Sequence, residues 1–151
     1  MKIIFLDIDG VLNSYAYDRV RKYDEGNIDM TRLDILKDIV DKTGAYIVLT
    51  SSWRRHWEKD YLDCDYAGRE ISDSFYEKGM EIYDKTPELG YRADEIRAWM
   101  EGKDIESFVI IDDMPFGWSE LSDRFIKTDP RIGRGLEHIH AEEAIEILNK
   151  V

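Results

Sequence analysis

Four aspartates stand where carboxylates could do chemistry. Asp7 and Asp9 follow the apolar run Ile3–Leu6 in the order Asp7-Ile8-Asp9-Gly10, and Asp112-Asp113 follow the run Phe108–Ile111. A third run, Ile47–Leu49, ends in the hydroxyl cluster Thr50-Ser51-Ser52. Short unbroken apolar runs without a helical period are the pattern of strands buried on both faces. In a parallel α/β sheet the carboxyl ends of such strands lie along one edge, where ligands bind. The three clusters are therefore expected to converge, although they are far apart in the chain. Four carboxylates drawn together would repel and raise one another's pKa. A hard divalent cation relieves that repulsion, and oxygen-only donors without a nearby His or Cys favour Mg²⁺ over zinc. Taken singly, each cluster has an ordinary explanation as a turn, an N-cap or a capping hydroxyl. Their shared place at three strand ends is what points to a site.

The elements that must position these residues are legible as patterns. Met30, Leu33, Leu36, Ile39 and Val40 make one apolar helical stripe, with Asp29 as N-cap and Gly44 as the stop. Ala93, Ile96, Trp99 and Met100 make a second, opened by Asp94 and Glu95 and closed by Gly102. Ala141, Ala144, Ile145 and Leu148 make a third, running to the C-terminus. Weaker strands are expected at Met80–Tyr83 and Arg124–Lys127. Strands alternating with amphipathic helices predict an α/β domain around a mostly parallel sheet. Asn13–Ile28, polar and tyrosine-rich, reads as a loop or small hairpin. Arg55–Gly79, acidic, helical in pieces and without a clear period, reads as a surface excursion.

The 151 residues fit one domain, 1–151. A formal net charge of −12 argues against a general nucleic-acid coat or a membrane-surface protein. The single cysteine, Cys64, excludes an internal disulfide and a multi-cysteine zinc site, and Asp63 and Asp65 beside it would blunt its reactivity. No apolar run is long enough to span a membrane, and an acid at position 7 comes too early for a signal peptide. A cytoplasmic protein is expected.

The segment Phe5-Leu6-Asp7-Ile8-Asp9-Gly10-Val11-Leu12-Asn13 resembles motif I of the haloacid-dehalogenase-like (HAD) phosphohydrolases. Val48-Leu49-Thr50-Ser51 is similar to their motif II, and Ile110-Ile111-Asp112-Asp113 to their acidic motif IV. Within the superfamily, Leu49-Thr50-Ser51-Ser52-Trp53-Arg54 resembles the HAD domains of Swiss Army Knife RNA repair proteins. So do Thr86-Pro87, Arg92 with Glu95-Ile96 and Trp99, and Thr128-Asp129-Pro130 with Gly135-Leu136. The phosphatase domain of polynucleotide kinase-phosphatases and the deoxyribonucleotidases are neighbouring comparisons.

The resemblance implies a three-layer Rossmannoid HAD-like fold, essentially capless, with a short flap at about 13–29 and an excursion at about 55–90. It implies a phosphomonoester hydrolase in which Asp7 is the nucleophile and Asp9 the general acid and base. Thr50 would bond a phosphoryl oxygen, with Gly10, Ser51 and Arg54 also on the substrate. Asp7, Asp9 through its backbone carbonyl, Asp112 and Asp113 would hold Mg²⁺. The family's usual motif III cation is a lysine, and none opens the helix before Phe108–Ile111. Arg92 is the candidate and Arg97 the fallback, since a guanidinium clamps phosphate well. A polynucleotide end or a nucleotide is the expected phosphorylated substrate. The negative charge favours end recognition over extended nucleic-acid binding. A broad-range small-molecule phosphatase is an alternative, as is a non-catalytic HAD-fold binding module, against which the intact Asp7 and Asp9 speak; a receiver-type phospho-acceptor would lack Asp9 and the Gly10-Val11-Leu12 that follows it.

Basic residues are expected to ring this edge: Arg19, Arg21 and Lys22, then Arg54 and Arg55, then Arg131 and Arg134, together with Arg92. Trp53 and Trp57 could stack on a base or belong to the core.

Overall fold

The structure, a computed structural model, describes residues 1–150. In chain order the elements are β1 (Lys2–Leu6), α1 (Tyr15–Val20), α2 (Met30–Thr43), β2 (Tyr46–Leu49), α3 (Tyr66–Glu77), β3 (Ile82–Lys85), α4 (Arg92–Met100), β4 (Ser107–Asp112), β5 (Phe125–Lys127) and α5 (His138–Asn149). The strands form one sheet in the order β3-β2-β1-β4-β5, and every pairing is parallel. The mostly parallel sheet expected from sequence is thus parallel throughout.

The unbroken apolar runs are explained by layers on both faces. Ile4 and Leu6 of β1 point into a large core with Leu33, Leu36 and Ile39 of α2, Ile71 and Phe75 of α3, and Ala141, Ala144 and Leu148 of α5. Ile3 and Phe5 point the other way, against Ala93, Ile96 and Trp99 of α4 and against Trp118 and Leu121. Side chains alternate across a strand, so a strand covered on both sides has to be apolar at each position. The outcome is the three-layer Rossmannoid α/β arrangement. Among the described residues no helix is long and apolar enough to cross a membrane.

Both expected caps of α2 form: Asp29 accepts from Thr31 N–H, and Gly44 closes the helix in the left-handed region at φ 71°. Two segments depart from the sequence reading. The flap holds a helix, α1, rather than a hairpin. It buries no residue and so carries no apolar stripe to betray it. Its Ser14 cap and the Tyr17 hydroxyl, which donates to the carbonyls of Gly26 and Ile28, hold it in place. The excursion is helical as expected but is not confined to the surface: Ile71 and Phe75 of α3 enter the main core one helical turn apart. Gly68 lets this helix approach closely, since a Cβ there would overlap the His56 carbonyl. Trp57 and Cys64 are buried in the same core, so Trp57 is not a stacking platform. The strand expected at Met80–Tyr83 lies two residues later, at Ile82–Lys85.

Candidate active site

Strand register brings the site together. Leu6 of β1 pairs with Leu49 of β2 on one side and with Ile111 of β4 on the other. The ladder runs one step further: Thr50 N–H donates to the Leu6 carbonyl at 3.0 Å, and Asp7 N–H to the Ile111 carbonyl at 3.0 Å. Asp7, Thr50 and Asp112 therefore leave three neighbouring strands at one level. The central strand β1 is also where the strand order reverses, the place at which open α/β sheets leave a crevice.

Carboxylate oxygens of Asp7, Asp112 and Asp113 all lie within 4.8 Å of one another. Asp7 and Asp112 are buried and Asp113 is half-buried. Burial pushes the Asp7 carboxyl well above the ordinary carboxylate range, and the Asp112 charge adds to this, with Arg92 opposing it. Asp113 is raised by the same two causes in the same order, burial and then Asp112. Glycine is required at position 10 on two counts. Its φ is 84°, and a Cβ would overlap the carboxyl group of Asp113.

Among the described residues, one cation pairs with this cluster. Arg92, the first residue of α4, reaches across with Nη1 2.8 Å from Asp112 Oδ2 and 3.5 Å from Asp7 Oδ1. Its guanidinium also lies 5.0 Å over the Phe116 ring. Arg97 points away, paired with Asp94 and Glu120 at the surface. One guanidinium against three carboxylates leaves the cluster negative. The donor set, hard oxygens from three carboxylates, fits a hard divalent cation such as Mg²⁺. Thr50 Oγ1 is buried and has no hydrogen-bond partner. A buried hydroxyl without a partner is costly unless something binds it, and a phosphoryl oxygen would serve.

Asp9 is exposed and stands apart from the triad. Its Oδ2 accepts from Trp53 Nε1 at 3.1 Å and its Oδ1 from Asn13 Nδ2 at 3.0 Å. As a metal-ligand expectation, its side chain is thus engaged elsewhere, and only its backbone carbonyl remains for that role. A groove of about 730 Å³ opens beside it, floored by Asp9, Gly10 and Asp113 and walled by α1 and the segment after β5.

Other expected residues have structural employment. The Arg54 guanidinium is buried beneath the site, bonded to the carbonyls of Thr50 and Ser51 and ion-paired with Glu95 at 2.8 Å. It therefore props the Thr50 loop from below and cannot reach a substrate without leaving a buried carboxylate unpaired. Burial lowers its pKa and Glu95 counteracts that. Ser51 Oγ caps the 3₁₀ turn Ser52–Arg55 by accepting from Trp53 N–H. Gly10 N–H is taken by Asn13 Oδ1 and its carbonyl by the Thr128 hydroxyl. Of the expected basic ring, Arg21 and Arg131 line the groove, joined by Lys127, while Arg55 pairs with Glu88. Sequence reasoning placed Asn13 in the motif I segment and Glu95 in the family pattern, but gave neither a role in the site. Glu95 looks like an ordinary acid in a helix's first turn, and only tertiary packing shows that it is buried against Arg54.

The sequence profile of the HAD domain in Swiss Army Knife RNA repair proteins matches residues 3–139. The chain belongs to this family of HAD domains. The match runs from β1 into the start of α5, so it takes in every strand and each residue of the site. No curated protein and no solved structure matches the chain. As a HAD domain, it carries phosphohydrolase-type machinery of a kind that generally uses Mg²⁺.

Proposed function

We propose that this HAD domain is a Mg²⁺-dependent phosphomonoester hydrolase that works through an aspartyl-phosphate on Asp7. The observation that carries the reading is one buried carboxylate with four partners of the right kind around it. Asp112 and Asp113 lie within 4.8 Å, the Arg92 guanidinium within 3.5 Å, and the unpartnered Thr50 hydroxyl leaves the adjacent strand at the same level.

Asp7 attacks phosphorus, and the bond from phosphorus to the leaving oxygen breaks as Asp9 gives that oxygen a proton. Water then attacks the phosphorus of the acyl phosphate, Asp9 takes its proton, and Asp7 is regenerated with release of inorganic phosphate. Arg92 and the Thr50 hydroxyl hold phosphoryl oxygens through both transfers. Mg²⁺ held by Asp7, Asp112, Asp113 and the Asp9 carbonyl would offset the repulsion between a carboxylate nucleophile and a phosphate dianion.

Asp9 also floors the groove, so the leaving group departs into it. About 730 Å³ is ample for a nucleoside, and Arg21, Lys127 and Arg131 stand along its walls beside Asp18 and Asp129. Such balanced charge suits a terminal phosphate on a polynucleotide or nucleotide, with few further phosphate contacts and a shallow salt dependence.

A phosphate-release panel tests this. Substrates are 3′- and 5′-phosphorylated oligonucleotides, nucleoside monophosphates, sugar phosphates and phosphopeptides, each with Mg²⁺ and with EDTA, and Asp7→Asn is the control. Mg²⁺-dependent release, fastest from a phosphorylated oligonucleotide end and lost in Asp7→Asn, is expected. Preference for sugar phosphates or phosphopeptides overturns the substrate assignment. No release from any substrate, or unchanged release by Asp7→Asn, overturns the mechanism.

A further inference from the structure

The least expected contact at the site joins two catalytic segments. Trp53 lies in the turn after Thr50, half-buried against the main core, and its backbone N–H is fixed by the Ser51 hydroxyl. From there its indole Nε1 donates to Asp9 Oδ2 at 3.1 Å, across 44 residues of chain. The other carboxylate oxygen is held from the flap side by Asn13. Asn13 is itself fixed: its amide nitrogen also donates to the Asn27 carbonyl at 3.1 Å, and its oxygen accepts from Gly10 N–H at 2.9 Å. Asn27 is tied in turn to α3 through Glu70.

We propose that Trp53 is a positioning residue that, with Asn13, holds the Asp9 carboxyl group in the pose from which it serves the leaving oxygen. This rests on the reading of Asp9 as the acid and base. An exposed aspartate on a loop can sample every staggered rotamer. Here both oxygens accept N–H donors anchored in different parts of the fold, which selects one rotamer before substrate arrives. Because the indole belongs to the turn begun by Thr50, the group that meets the phosphoryl oxygen and the group that meets the leaving oxygen are kept in fixed relation. A misplacement of about 1 Å at such a position is enough to cost about a hundredfold in rate.

The test is the dependence of kcat/KM on the leaving group. p-Nitrophenol departs without a proton, whereas an alcohol needs one. Trp53→Phe keeps the ring in the core and removes the N–H. It is expected to lower kcat/KM about ten- to a hundredfold on alkyl phosphates and by less than about threefold on p-nitrophenyl phosphate. In an Asp9→Ala background the same change is expected to do nothing further. A uniform loss across the series, or a loss that persists in the Asp9→Ala background, would show that Trp53 acts on packing alone and overturns the proposal. If Asp9→Ala itself hydrolyses alkyl phosphates at the wild-type rate, the acid and base reading falls first and takes this proposal with it. Should circular dichroism show Trp53→Phe unfolded, Asn13→Ala carries the same test. A loss graded by leaving group supports positioning, and a uniform loss refutes it.

Discussion

Replacing Asp7, the proposed nucleophile, should make the metal-free protein more stable. Asp7 sits with two carboxylates no further than 4.8 Å away. At an effective dielectric constant of about 20, each such pair costs roughly 3.5 kcal/mol when both are ionised. Arg92, at 3.5 Å, returns roughly 5 kcal/mol on the same basis. The balance is about 2 kcal/mol against the ionised Asp7, before the cost of burying it is counted. Protonation caps that penalty, which is why the Asp7 pKa is raised. A carboxyl group whose pKa is raised on folding withdraws stability as pH climbs above its unfolded value, near 3.8, until the folded pKa is passed. Asp7→Asn removes the charge and keeps the shape. In EDTA near neutral pH it should stabilise by about 1–2 kcal/mol, a rise in Tm of roughly 2–8 °C for a chain of this size. The advantage should shrink steadily as the pH falls towards 4. Mg²⁺ at a hundred times its Kd should add about 2.7 kcal/mol to wild type and far less to the variant. Thermal unfolding across a grid of pH and Mg²⁺ measures all of this. A variant melting at or below wild type in EDTA at neutral pH, or an equal response of both proteins to Mg²⁺, would refute the reasoning.

Arg92→Ala should lower kcat/KM by about a hundredfold or more, since it removes a preorganised charge from the transferring phosphoryl group. Arg97→Ala, a surface guanidinium between Asp94 and Glu120, should leave it unchanged; steady-state kinetics on p-nitrophenyl phosphate separates the two. Glu95→Ala should destabilise by about 3–5 kcal/mol, because it strands the buried Arg54 charge. It also frees the Leu89 and Gly90 N–H groups that Glu95 Oε2 accepts, and urea unfolding reports the loss.

What could be read in the sequence was whatever depends on strand ends. A strand buried on both faces announces itself by an unbroken apolar run, and the residue after the run is then fixed in depth and direction by the ladder. Asp7, Thr50 and Asp112 come together for that reason, with no contact needing to be guessed. The helices α2 and α4 were legible because each buries one stripe. Illegible were elements whose anchoring is polar or distant. The helix α1 is held by hydroxyl and carbonyl contacts, not by an apolar face. The employment of Arg54 depends on a glutamate 41 residues away. A buried arginine and a substrate-binding one look alike as letters. The same holds for Trp53, whose one polar atom decides its role only once Asp9 is beside it.

The charge of the whole chain and the chemistry of its site are reconciled at the cluster itself. Three carboxylates face one guanidinium, so without a cation the site turns net negative as its acids ionise and then repels a phosphate dianion. On the proposed mechanism a divalent ion would offset that charge, and Arg92 and the Thr50 hydroxyl could then act on the phosphoryl group. Metal and phosphate would thereby be thermodynamically coupled: each should bind more tightly in the presence of the other, by the same factor. In an acidic protein with −12 formal charge, that coupling would also be a source of selectivity. The surface offers an anion little attraction, and on the proposed mechanism only one that can share the cation at this strand edge would be held long enough to react.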